Sequence, residues 1–216
     1  MFSQVDTLVR KHLFFPQSQW DDHPDNWNLE YEELSLKTPS NIKLNALYFP
    51  ASNSKGTILF LHGNGGNISH RLFKIAPLVH RGFSVLLFDY RGYGKSEGEI
   101  RSEEDLMEDA ETALIWLIET QKVSSGDITF MGESLGGAIA LPMILKHSGR
   151  ALILESPFTS LRSMMKVYSP FIPFSLVKSF QLDNLSKISE LKEPLLVIHG
   201  KKYLRKRLNS FRHTGG

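Results

Sequence analysis

Not one of the 216 residues is a cysteine, which excludes disulfides, thiolate metal sites and a cysteine nucleophile. That absence is compatible with a reducing compartment, and a cytoplasmic location is the expectation. No apolar run approaches the roughly 18 residues needed to cross a bilayer, so no transmembrane segment is expected. The opening MFSQVDTLVRKHLFFP has charges where a signal peptide would carry its apolar segment, which argues against export. Val5, Leu8, Val9, His12 and Leu13 fall at helical spacing there. Because the opposite face carries little basic charge, that helix is read as docking on the domain rather than lying on a membrane surface. A net charge of +2 is too small to indicate a nucleic-acid partner. Internal repeats and low-complexity linkers are also missing, which leaves one domain over residues 1–200 and an atypical tail over residues 201–216.

What is present is ordinary globular material, with 41% hydrophobic and 22% charged residues. Short apolar runs alternate with helical patterns, the signature of an α/β fold with a mostly parallel sheet. Residues 30–36 and 42–49 are separated by the turn-like Thr38, Pro39, Ser40 and Asn41 and are expected to pair as a hairpin. Residues 57–61, 84–89, 128–131, 151–155 and 195–199 are rich in Ile, Leu, Val or Phe, as strands buried on both faces must be. Between them, residues 103–119 form the best helical pattern. It starts after Ser102 with Glu103, Glu104 and Asp105 at the positive end of the helix dipole. This makes seven strands.

The chemistry enters at ITFMGESLGGAIAL, which reads as strand, tight turn and helix, with GxSxG as Gly132, Ser134 and Gly136. GxSxG alone is a weak signal. Here an apolar strand ends at the motif and a small-residue helix begins after it, and a serine on such a turn brings its flanking residues too close for a Cβ. Ser134 is therefore the candidate nucleophile. Pro142 inside the following helix has no explanation at this level. The loop HGNGGN, His62 to Asn67, follows the strand TILFL. A dinucleotide reading fails because Ile68 stands where the third glycine of GxGxxG belongs. The loop is instead suited to supply a backbone N–H to an oxyanion, from Asn64, with the N–H of Leu135 as the second donor. His62 is read as bonding backbone around the loop rather than as the base. Gly94-Lys95-Ser96 invites a phosphate-loop reading, which fails because the pattern needs glycine where Asp89 stands.

Taken in order, HGNGGNISHR, FDYRGYGKSEG, GESLGG, ESPFTS and VIHG resemble the abhydrolase-domain serine hydrolases of the bud-emergence type, over roughly Phe14 to Gly200. The resemblance implies an eight-stranded α/β-hydrolase, with helices on both faces of the sheet, acting on small-molecule esters, thioesters or amides and using no cofactor or metal. In that family the triad acid follows the seventh strand and the base histidine an eighth. Here no Asp or Glu follows Glu193, and only 16 residues follow Gly200. Six of the 25 basic residues fall in that tail with no acid, leaving 19 basic against 23 acidic residues before it. A change of reading frame just after Gly200, the loss of the last strand and helix, and weak or absent activity are the resulting expectations. Glu155, at the end of the sixth strand, and His213 are the fallback acid and base. Glu155 is read first as anchoring the ESPFTS loop. Met164, Met165, Tyr168, Phe171, Ile172 and Phe174 either wall an acyl pocket or pack a connecting helix. The alternative to an enzyme is a catalytically incomplete hydrolase-fold chain serving as an interaction module or a remnant.

Overall fold

The computed structural model describes residues 13–168, 173–177 and 179–200. The amino-terminal helical pattern before Leu13, Phe171, Ile172 and the tail with His213 lie outside the described residues.

Seven strands form one sheet: β1 Glu32–Lys37, β2 Lys43–Phe49, β3 Thr57–Leu61, β4 Ser84–Phe88, β5 Ile128–Glu133, β6 Ala151–Glu155 and β7 Leu195–Ile198. Their spatial order is β1-β2-β4-β3-β5-β6-β7. The β1–β2 hairpin and the β2–β4 pair are antiparallel, and every later pair is parallel. Asn41 closes the hairpin at φ 66°, a left-handed conformation that asparagine tolerates better than most residues. Among the described residues, four α-helices of eight or more residues accompany the sheet: α1 Leu72–His80, α2 Glu103–Glu119, α3 Leu135–His147 and α4 Leu161–Tyr168.

Period-two alternation sorts the strand side chains into two cores. Leu59 and Leu61 of β3 join Leu86 and Phe88 of β4 and the apolar residues of α2 and α3 on one face. Ile58 and Phe60 join Val85, Leu87 and Leu72, Ile75 and Ala76 of α1 on the other. The sheet is thus covered on both sides, as expected. Helix α2 has the predicted bounds, and its entry is capped by Asp105, whose Oδ2 accepts the Arg101 and Ser102 amides at 2.7 and 3.2 Å. Helix α3 is buried nearly all round, which explains its apolar composition, and runs on through Pro142.

One expectation fails. Strands β6 and β7 are not buried on both faces: β6 alternates between buried and partly exposed, and all four residues of β7 are 43–52% exposed. The reason is position. Among the described residues, strand β7 pairs only with β6, and no core cluster includes its side chains.

Candidate active site

Strand β5 sits mid-sheet between β3 and β6, and its carboxyl end delivers the chain directly into α3 through Ser134. Ser134 adopts φ 49°, ψ −104°, a conformation costly for a residue with a Cβ. The turn is held by hydrogen bonds from the Ser134 amide to Glu155 O (2.9 Å) and from the Gly137 amide to Ser134 O (3.1 Å). The two motif glycines are required by contact rather than by φ. A Cβ on Gly136 would stand 1.9 Å from Leu61 O, and one on Gly132 would stand 2.5 Å from Gly136 O. Leu135 is the first residue of α3, so its N–H is one of those a helix leaves without an internal partner.

The loop after β3 brings Asn64 beside the turn. Asn64, Ser134 and Leu135 all line one cavity of about 70 Å³, together with Leu13, Phe14, Phe158, Leu161, Met164 and Leu182. The three residues singled out from the sequence therefore converge, and Met164 walls their cavity, while Met165 is buried against Leu13, Leu161 and Phe174. Tyr168 is exposed. Asn64 is held on two sides. Its Nδ2 donates to Leu13 O at 2.6 Å, and the Tyr93 hydroxyl lies 2.8 Å from both its O and Oδ1, donating to them.

His62 does not line the cavity. It is fully buried against Tyr90 and Tyr93, with ring centroids at 4.6 and 5.2 Å, and its Nδ1 donates to Gly63 O at 2.7 Å. Burial, helped by the nearby Arg71 charge, pushes it down to about 3, so it is neutral and structural at ordinary pH. Asp89, whose Oδ1 accepts the Ile68 amide at 2.9 Å, is pushed up to about 7 by burial.

A set of charges that the sequence pattern did not expose ties the loop to the turn. Arg71 donates through Nε to Glu133 Oε2 (3.1 Å) and through Nη1 to Gly65 O (2.6 Å). Lys74 contacts Glu133 Oε1 (3.2 Å) and Glu155 Oε1 (2.7 Å). Burial opposes the Glu133 charge, but Arg71 and Lys74 outweigh it and hold the carboxyl below its usual range. Glu155 is therefore engaged by Lys74 of α1 and does not line the Ser134 cavity. His199 is exposed. Among the described residues, no group of three or more His, Cys, Asp or Glu side chains is arranged to hold a metal, and no helix is long and apolar enough to cross a membrane.

The sheet order, the strained serine between β5 and α3 and the glycine loop after β3 define an α/β-hydrolase. Residues 52–190 match the family model described as serine aminopeptidase, S33, and the chain belongs to that family. It is 36% identical to the protein bem46 of Schizosaccharomyces pombe, over 94% of this chain and 71% of that protein. An uncharacterized protein of Mycobacterium tuberculosis is also 36% identical, over 78% of this chain and 60% of its own length. The chain thus spans 60–71% of these relatives. Among solved structures, an esterase of Pyrococcus furiosus superposes with a TM-score of 0.71 over 94% of this chain and 84% of its own; at 20% identity this supports the fold alone.

Proposed function

We propose that this chain is a serine hydrolase acting on a small-molecule ester, thioester or amide through an acyl-serine intermediate at Ser134. The observation that carries the reading is the Ser134 backbone, strained at φ 49° so that the serine stands between β5 and the amino end of α3 in the cavity that Asn64 also lines. The Ser134 Oγ attacks the carbonyl carbon and its proton passes to a base. The amides of Asn64 and Leu135 meet the developing oxyanion. Collapse of the tetrahedral intermediate expels the alcohol, thiol or amine with that proton, and water then hydrolyses the acyl-serine. Each oxyanion donor contributes on the order of 10² to 10³ in rate. His213 and Glu155 are the candidate base and acid within this sequence; using Glu155 would require it to leave Lys74.

A second reading rests on one observation: no imidazole or carboxylate lines the Ser134 cavity among the described residues. On that reading the fold is kept without turnover, as an interaction module or a remnant. Hydrolysis of p-nitrophenyl acetate by the full chain and by Ser134→Ala separates the two. An enzyme loses at least about 10³-fold on that substitution. Equal background rates from both proteins favour the second reading.

A further inference from the structure

The cavity at Ser134 is small. Pockets that take drug-sized ligands run to roughly 300–1,000 Å³, whereas this one measures about 70 Å³ and is walled almost entirely by apolar side chains. A groove of about 730 Å³ lies elsewhere on the surface, with Phe15, Pro16, Tyr93 and Ile100 in its lining. Phe15 is 57% exposed there, an apolar side chain with little to cover it. Arg91, which also lines the groove, has its guanidinium taken up by Asp105, Glu108 and Asp109, so it offers no free cation to a charged ligand. The two spaces share one lining residue, Phe14.

Resting on the reading of Ser134 as a nucleophile, we propose that Phe14 sets the acyl length this site accepts, closing a short pocket at Ser134 and separating it from a groove that takes the remainder of a longer apolar chain. The backbone on either side of Phe14 is fixed to the oxyanion loop. Leu13 O accepts from Asn64 Nδ2 at 2.6 Å, Phe15–Pro16 pairs in parallel with Gly65–Gly66, and the Gln17 amide donates to Gly66 O at 3.1 Å. The Phe14 ring stands edge-on to Phe180 at 5.1 Å and is nearly buried. With the backbone held, the side chain is the movable part of the partition. As it stands, an acetyl-sized group fits against Ser134 and a medium-length chain does not. Leu161, Met164 and Leu182 also wall the pocket, but none of them reaches the groove, so shortening them enlarges the pocket without joining the two spaces.

The test compares the full chain with Phe14→Ala, the milder Phe14→Leu and the control Met164→Ala. Each protein is treated with p-nitrophenyl acetate and p-nitrophenyl decanoate, and the acyl adduct at Ser134 is read by mass spectrometry against a Ser134→Ala blank. Decanoate binding is measured in parallel by calorimetry, which requires no chemistry. The expected result is that Phe14→Ala shifts the acetyl-to-decanoyl preference toward decanoyl by about tenfold or more, that Phe14→Leu shifts it less, and that Met164→Ala, which enlarges the pocket without opening the groove, shifts it by clearly less than Phe14→Ala. Decanoate should bind the Phe14 variants and not the parent. An unchanged preference in both Phe14 variants, or an equal shift in Met164→Ala, overturns the proposal. If no protein forms any adduct, the nucleophile reading fails separately. The gate then stands on decanoate binding to the Phe14 variants alone, and falls if decanoate binds all four proteins or none.

Discussion

Strands β3 and β7 have nearly the same composition, TILFL and LLVI, and opposite fates. Every residue of β3 is buried, whereas every residue of β7 is about half exposed. The difference is set by place in the sheet: β3 lies between β4 and β5 with helices over both faces, while β7 has one neighbour among the described residues. The same contrast divides the chemistry. The Ser134 turn and the His62–Asn67 loop grow from β5 and β3; Arg71 bonds both, Lys74 holds Glu133 of the turn, and Tyr93 and the Leu13 carbonyl hold Asn64 of the loop. Around β7 the described residues show no comparable set of contacts to the site.

The largest expected effect of breaking this contrast is in the middle of the sheet. Leu59→Ala removes a fully buried side chain and should cost about 2–5 kcal/mol in urea unfolding. A loss below about 1 kcal/mol would mean that β3 is less tightly packed than described.

An intermediate effect is expected from pH. Because Glu133 is held below its usual 4.5 in the folded chain, its contribution to stability is fully present above that value and is lost as pH falls through the lowered one. Arg71→Met removes the main positive charge facing it, so the acid-side fall in stability below about pH 4.5 should become shallower in the variant. Parallel curves for parent and variant would show that Arg71 does not hold Glu133 ionised. The smallest effect belongs to β7. Val197→Ala, at a half-exposed position, should change stability by no more than about 0.5 kcal/mol, and a loss comparable to that at Leu59 would erase the distinction between the two strands.

Much of the framework could be read from local pattern. Apolar runs placed all seven strands to within a few residues, and the acidic first turn after Ser102 placed α2. Gly132, Ser134 and Gly136 signalled the turn because its geometry excludes side chains at those two glycines, a constraint that acts over a few residues and so leaves a local trace. The Arg71–Glu133 and Lys74–Glu155 pairs join positions 62 and 81 residues apart and have no periodic signature. Leu13 and Phe14 reach the site through a two-residue strand pairing too short to register as a pattern. The exposure of β7 was missed because an apolar run reports the preference of its side chains for burial, while neighbours decide whether burial occurs.

The central claim is that Ser134 is a nucleophile in a preformed oxyanion site. Labelling of the full chain with a fluorophosphonate serine probe, with the adduct mapped by mass spectrometry, tests it most directly. The account predicts an adduct confined to Ser134 and lost in Ser134→Ala. A chain that unfolds cooperatively, and so is folded, yet takes up no label at Ser134 would contradict it.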